Sequence, residues 1–270
     1  MPELPEVETT RLGLLPHLRG HSLIEVKVRN PRLRWPVPDD LQARLAGRTL
    51  VDVTRRGKYL LFDFGPITQL VHLGMSGSLR LAAPGEPPAT HDHIDWLFDD
   101  GCRLRLRDPR RFGAVLLSDA PAEHPLLAHL GPEPLEADFD ADYLYAQCRS
   151  RHAAIKQVIM DASVVVGVGN IYASESLFHA GIRPTRAAHR VSRPACARLV
   201  AAIRRVLTAA IAAGGSSLRD YVASSGEPGY FQLQTRVYGR AGLPCRACGT
   251  VIRRIVQGQR ASFFCPACQR

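Results

Sequence analysis

Residues 1–18 read MPELPEVETTRLGLLPHL. Pro5 suits the first turn of a helix, where a missing N–H costs nothing. The spacing predicts a helix running to about Leu18, with Val7, Leu14, Leu15 and Leu18 as its apolar stripe. Glu3 and Glu6 fall at the positive end of that helix. Removal of Met1 would make Pro2 a free secondary amine, able to attack an electrophilic carbon and collapse to an iminium ion. An α-amino group titrates near ~8, so a useful neutral fraction exists at neutral pH. Glu3 and Glu6 could then handle protons beside it. Many cytosolic chains also begin Met-Pro, so this stretch alone leaves the chemistry open.

The helix needs an apolar surface to cover, and the next hundred residues supply one. Residues 22–29 alternate, with Leu23, Ile24, Val26 and Val28 against Glu25, Lys27 and Arg29. Residues 49–55 and 59–64 flank Arg56-Gly57-Lys58, a hairpin signal. Further short apolar runs follow at 69–73, 78–81, 94–98, 103–107 and 114–117, with Gly, Pro and Asp between them. Many short strands without intervening helices predict an antiparallel sandwich or barrel.

Two Pro-rich segments, 121–125 and 132–134, mark a boundary. Beyond them the period turns helical at 143–160, 171–179, 194–213 and 217–222. Gly167-Val168-Gly169-Asn170 is a tight turn opening a helix. Such a turn exposes N–H groups that can hold phosphate, although glycines alone fit an ordinary helix connection equally well. Residues 223–235 are polar and contain Gly and Pro, which reads as a loop.

The tail carries Cys245-x2-Cys248, sixteen residues, then Cys265-x2-Cys268. That spacing points to one tetrahedral zinc in a closed, structural site. After Glu227 no acidic residue occurs, while seven arginines do: 236, 240, 246, 253, 254, 260 and 270. A zinc ribbon can bind protein, but this one-signed charge favours DNA. The other cysteines, Cys102, Cys148 and Cys196, suit reduced, buried thiols.

Composition agrees. The 270 residues carry 35 basic and 25 acidic side chains, a net charge of +10, with pI near 9.7. That excess implies a polyanionic partner, most simply nucleic acid. With no signal peptide and no long apolar run, a soluble cytoplasmic protein is expected. Only three of the basic residues are lysines (27, 58 and 156), leaving 32 arginines. Arginine grips phosphate but cannot act as base or nucleophile, so Lys58 and Lys156 stand out as titratable amines.

Within the β-region, residues 72–78 (HLGMSGS) form a loop around Met75, and residues 108–113 (DPRRFG) present Arg110 beside Phe112. A protein that extracts a base needs apolar wedges in the stack and a cation facing the orphaned partner. Met75 and Phe112 could also be core side chains, the usual fate of both types.

Together these segments resemble the bacterial formamidopyrimidine-DNA glycosylase family over essentially the whole chain. The motifs are PELPEVE, GKYLL, HLGMSGS, THDHID, DPRRFGA, VGVGNIYASE and the four-cysteine finger with QRASFFC. The resemblance implies an α+β multidomain protein. It would comprise an N-terminal β-sandwich with a flanking helix over 1–133, a helix-two-turns-helix module over 134–234 and a zinc finger over 235–270. It implies a bifunctional glycosylase and AP lyase acting on double-stranded DNA with oxidised purines or abasic sites. The enzyme would be a monomer, with one structural zinc and no membrane association.

By position, Pro2 resembles the Schiff-base nucleophile, Glu3 the proton donor, Lys58 the lysine assisting β-elimination and Arg260 the finger arginine assisting δ-elimination. Met75, Arg110 and Phe112 resemble the void-filling triad. His91, Arg151 and Asn170 match DNA-contacting positions, and Lys156 a lysine near the damaged-base pocket. Ala162 departs from the amide residue usual in the family, which leaves one helix end or turn without its side-chain hydrogen bond. The 224–234 loop keeps Glu-Pro-Gly-Tyr but differs around it, which bears on lesion preference. Leu4 and the Met75/Arg110/Phe112 set speak against the sister enzyme endonuclease VIII. Retention of Pro2, Glu3 and Lys58 together speaks against a non-catalytic DNA-binding protein.

Overall fold

A computed structural model describes residues 2–215 and 235–270. They form two compact units, residues 2–128 with 213–215, and residues 129–212 with 235–270.

In the first unit the opening helix, α1, spans Leu4–Leu18. The Glu3 N–H donates to Glu6 Oε2 at 2.8 Å, closing one half of a capping box. Leu4, Val7, Leu14 and Leu18 are fully buried, so the expected stripe faces inward, with Leu15 packed at its margin.

Eight strands follow among the described residues: β1 Leu23–Val28, β2 Asp52–Arg56, β3 Tyr59–Asp63, β4 Thr68–His72, β5 Ser78–Ala82, β6 Asp92–Phe98, β7 Arg103–Arg107 and β8 Ala114–Ser118. They make two antiparallel four-stranded sheets, ordered β1-β6-β7-β5 and β2-β3-β4-β8. Leu23, Ile94, Trp96 and Leu106 from one sheet and Val53, Leu60, Phe62 and Val71 from the other share one core. Each such side chain contributes roughly 1.5–3 kcal/mol of burial. The sandwich therefore forms as the sequence implied.

Two details differ. A five-residue helix, α2, spans Leu41–Leu45 between β1 and β2, burying Leu41 and Leu45 four residues apart. It is a single turn, too short to show a period in the sequence. In β1 the pairing slips between Leu23 and Glu25. The bulge turns Ile24 outward, 52% exposed, while Leu23 and Val26 both face the core.

Below this sheet's surface Arg105 and Asp95 form a buried pair, each 1% exposed by side chain. Arg105 Nε reaches Asp95 Oδ1 at 2.8 Å and its Nη2 reaches Oδ2 at 2.9 Å, a bidentate fork. Burial pushes the Asp95 carboxyl up. The hydrogen bonds and charges of Arg105 and Arg29 more than reverse this and hold it well below the usual range.

The second unit contains α3 Ala141–Arg149, α4 Ile155–Ile159, α5 Asn170–Ala180 and α6 Arg193–Ala212. The helix expected over 143–160 is broken into α3 and α4. At the break, Ala154 bridges Ala187, Ala153 accepts from the Ala188 N–H, and Ile155 donates to Arg186 O. Pairing with that distant segment outweighs local helix propensity. Gly167 takes a positive φ of 79° ahead of α5, and Gly169 is the helix N-cap, so the glycine turn does open a helix. The helical stretch read at 217–222, the loop at 223–234 and its family differences lie outside the described residues.

Around Ala162 the turn is held by its neighbours and its backbone. Ser163 donates both N–H and hydroxyl to Asp161 Oδ1, at 2.9 and 2.8 Å, and Ala162 O accepts from the Gly131 N–H at 2.8 Å. Cys148 and Cys196 are fully buried, whereas Cys102 is only partly so. No described helix is long and apolar enough to cross a membrane.

Candidate active site and DNA-contacting residues

In the first unit, Pro2 is buried just ahead of α1, and Glu3 beside it is 3% exposed. The capping bond to Glu6 fixes the Glu3 backbone, so the residue before it is held at the helix's positive end. Glu6 itself is fully buried. Gly215 explains part of that burial: an added Cβ there would lie 3.2 Å from Glu6 Oε1.

Lys58 sits in the Gly57-Lys58 turn between β2 and β3, where Arg56 pairs with Tyr59. Gly57 takes the positive φ of 57° that a two-residue hairpin demands. Arg55 braces this hairpin against α1, donating from Nε to Glu8 Oε2 at 2.8 Å and from Nη1 to Gly57 O at 2.9 Å. The Lys58 charge is felt at His72 on β4. Burial, then the charges of Lys58 and Arg34, push the His72 pKa down to about 4. Its Nδ1 accepts the Gly74 N–H at 3.1 Å, so the neutral ring carries its proton on Nε2. Nothing in the sequence singles out His72, although it opens the HLGMSGS motif.

The two glycine-rich loops interlock. Ser76 Oγ donates to Asp108 Oδ1 at 3.0 Å, Gly113 N–H donates to Asp108 Oδ2 at 2.8 Å, and Arg110 N–H donates to Ser76 Oγ at 3.2 Å. Gly74 lies so close to the second loop that a Cβ would fall 2.4 Å from the Phe112 carbonyl carbon. At the tips, Met75 is 39% and Phe112 42% exposed, and the Arg110 guanidinium lies 4.8 Å over the Phe112 ring. The two apolar side chains are therefore outside the core, as wedges must be. Exposed His91 takes φ 78°, and its carbonyl accepts from the Asp108 N–H at 3.0 Å.

In the second unit, Lys156, Asn170 and the start of β10 come together. The strand β10, Arg260–Phe264, pairs with β9, Arg253–Gln257. Gly258 (φ 52°) and Gln259 (φ 62°) make the turn that delivers exposed Arg260. Lys156 is 2% exposed. Its Nζ donates to Asn170 Oδ1 at 2.6 Å, Ala261 O at 3.0 Å and Ser262 Oγ at 2.7 Å. Arg151 follows α3 and gives NH1 to Gln147 O and Oε1, at 2.6 and 2.8 Å.

The four finger cysteines gather their sulfurs within 4.8 Å of one another. Sγ separations are 4.0 Å for Cys245–Cys268, 3.5 Å for Cys248–Cys265 and 3.4 Å for Cys248–Cys268. A tetrahedron with Zn–S near ~2.3 Å has edges of about 3.8 Å, so the set fits one zinc. The Ala247 and Cys268 N–H groups point at Cys245 Sγ and Cys265 Sγ, at 3.5 and 3.4 Å. Buried Glu175 holds the finger's entry by accepting the N–H groups of Arg236, Val237 and Tyr238 at 2.8 to 2.9 Å. That anchor carried no sequence motif of its own.

Three family models match in succession. Residues 1–115 match the formamidopyrimidine-DNA glycosylase N-terminal domain, 130–222 its H2TH domain, and 242–270 the zinc finger found in FPG and IleRS. The chain belongs to the formamidopyrimidine-DNA glycosylase family. It is thus a DNA glycosylase of base excision repair, in a family whose members also have AP-lyase activity, and it holds one structural zinc. A relative from Thiobacillus denitrificans, named formamidopyrimidine-DNA glycosylase, is 73% identical over the full length of both chains. Another, from Thioalkalivibrio sulfidiphilus and of the same name, is 62% identical over the same span. Among solved structures, MutM (Fpg) from Thermus thermophilus superposes with TM-score 0.88 at 40% identity, covering 99% of this chain and 98% of that one. A Lactococcus lactis Fpg mutant in complex with Fapy-dG-containing DNA superposes with TM-score 0.93 at 35% identity over all of both chains.

Proposed function

We propose that this glycosylase excises oxidised purines, 8-oxoguanine and formamidopyrimidines, by an imine mechanism centred on Pro2. Once Met1 is removed, the Pro2 nitrogen attacks the sugar C1′. The C1′–base bond breaks as Glu3 donates a proton to the departing base; the C1′–O4′ bond then opens, O4′ taking the proton that the Pro2 nitrogen gives up, and the sugar is left as a ring-opened iminium ion. The iminium accepts the electrons released when the neighbouring C–H proton leaves, and the 3′ phosphate departs by β-elimination with Lys58 assisting. A second elimination expels the 5′ phosphate, with Arg260 holding its negative charge. No catalytic metal enters these steps, because the imine is the electron sink.

Met75 and Phe112 fill the space vacated by the flipped nucleotide, and Arg110 faces the orphaned cytosine. His91, Arg151 and Asn170 grip the backbone. The enzyme works as a monomer in the cytoplasm, on nucleoid DNA.

The observation that carries this reading is the Glu3–Glu6 capping bond of 2.8 Å. It holds a nearly buried carboxylic acid and the chain's second residue at one fixed place. The test is borohydride trapping on a duplex with 8-oxoguanine opposite cytosine. An adduct mapped to residue 2 is expected, and Pro2→Gly should abolish it while damaged-DNA binding persists. Tight binding with no adduct would remove the imine mechanism. An adduct seen only with oxidised pyrimidines would change the substrate class.

A further inference from the structure

By position Lys156 resembles a lysine near the damaged-base pocket, but its surroundings point elsewhere. The side chain is 2% exposed. Its ammonium has three protons, and three acceptors of the protein lie within 3.0 Å: Asn170 Oδ1, Ala261 O and Ser262 Oγ. These acceptors belong to two separate elements, the start of α5 and strand β10. Each element carries a residue assigned to DNA, Asn170 at the first position of α5 and Arg260 at the first position of β10.

An ammonium can only donate, so the amide atom of Asn170 that faces it must be the oxygen. The amide NH2 of Asn170 is thereby turned away from Lys156. It is left as a donor for a phosphate oxygen. The same ammonium holds the backbone carbonyl of Ala261, the residue next to Arg260, and so fixes where the guanidinium departs from the hairpin. A buried charge held by three neutral oxygens keeps its position, because moving it would strand a desolvated cation.

We infer that Lys156 is a positioning residue of the DNA grip. One buried ammonium sets both the outward face of the Asn170 amide and the exit of Arg260, and it makes no contact with the base. This rests on the proposed phosphate roles of Asn170 and Arg260.

The experiment compares binding to two duplexes, one with 8-oxoguanine opposite cytosine and one with a tetrahydrofuran abasic analogue. Wild type, Lys156→Met, Asn170→Ala and the double variant are measured on both. A positioning role predicts that Lys156→Met weakens both duplexes about equally, by roughly tenfold. It also predicts that Lys156→Met adds little further loss once Asn170 is already alanine. A loss confined to the base-containing duplex would overturn the inference in favour of a base contact. Full additivity with Asn170→Ala would overturn it as well. A wild type that binds neither duplex would instead sink the functional reading beneath it.

A second variant guards against a simple folding defect. Lys156 borders an open crevice of about 180 Å3, lined also by Gln157, Met160, Gln257, Gly258 and Arg260. Lys156→Ala would join its void to that crevice, giving propylammonium a route in. Recovery of binding on both duplexes with added propylamine supports the positioning role. Recovery on the base-containing duplex alone, or none in a folded, zinc-loaded variant, contradicts it.

Discussion

Ser76 gives its hydroxyl proton to Asp108 at 3.0 Å, and through that bond the loop bearing Met75 is tied to the loop bearing Arg110 and Phe112. Asp108 is fully buried and its other oxygen takes the Gly113 N–H. The wedge pair is therefore one preassembled object. Asp108→Ala should cost about 2–4 kcal/mol, since it strands buried donors in both loops. Urea unfolding would read the stability loss. Lesion-duplex binding should fall further than stability alone explains, and unchanged binding would mean that the loops act independently.

Gly74 gives a second handle on the same joint. At φ 62°, and with a Cβ only 2.4 Å from the Phe112 carbonyl carbon, Gly74→Ala must push the loops apart. A stability loss of about 1–3 kcal/mol is expected, together with weaker discrimination between lesion and undamaged duplex. A gel-shift comparison of the two duplexes checks it.

His72 predicts a pH dependence. Its pKa in the folded protein is about 4, below the ordinary 6.5. The folded state therefore binds fewer protons than the unfolded chain. The stability linked to this group is fully present above about 6.5 and is lost as pH falls toward 4. A difference of that size corresponds to roughly 3 kcal/mol at most. His72→Asn should flatten the stability curve across that window, measured as urea midpoints at successive pH values. A variant curve parallel to wild type would show that His72 is not the group titrating.

Asp95 and Arg105 form a pair whose halves are each 1% exposed. Breaking one half leaves the other charged and buried, at about 3–5 kcal/mol. Asp95→Asn should therefore lower the unfolding midpoint sharply without touching imine trapping per folded molecule. A milder loss would mean that Asp92 and Glu86, both near Arg105, take over the charge.

Zinc removal should unfold the finger and spare the sandwich. A strong chelator leaves the four sulfurs without their common partner and unfolds the finger, which carries Arg260. The sandwich core shares no residue with the finger's cluster around Val237, Ile252 and Phe263. Loss of DNA binding with retained β-sheet circular dichroism is expected, and a cooperative loss of both would contradict this independence.

The sandwich and the finger were legible because each rests on a local pattern. Period-two alternation marks strands such as 103–107, and the cysteine spacing marks the metal. Long-range pairings were not legible. The break between α3 and α4 depends on residues 186–188, and the β1 bulge depends on the partner strand β6. At the site, motifs mark Pro2, Lys58 and Arg260 in the sequence, and the structure places them ahead of α1, in the β2–β3 turn and at the start of β10. His72 carried no sequence signal because its depressed pKa comes from burial and from the charges of Lys58 and Arg34, which only the fold brings near it. Lys156 was legible as special, but only its three acceptors showed where its ammonium points.

The scarcity of lysine has a consequence for covalent chemistry. Of the three, Lys156 is buried, Lys58 is half-buried in its hairpin turn, and Lys27 alone is openly exposed on β1. An opened sugar aldehyde condenses readily with primary amines, and a lysine-coated protein would offer it many stray partners. Arginine is inert toward the aldehyde, so the chain's 32 arginines offer it no stray amine. A reductively trapped adduct on this protein therefore reports a chosen amine, against a surface that is nearly silent to the reagent.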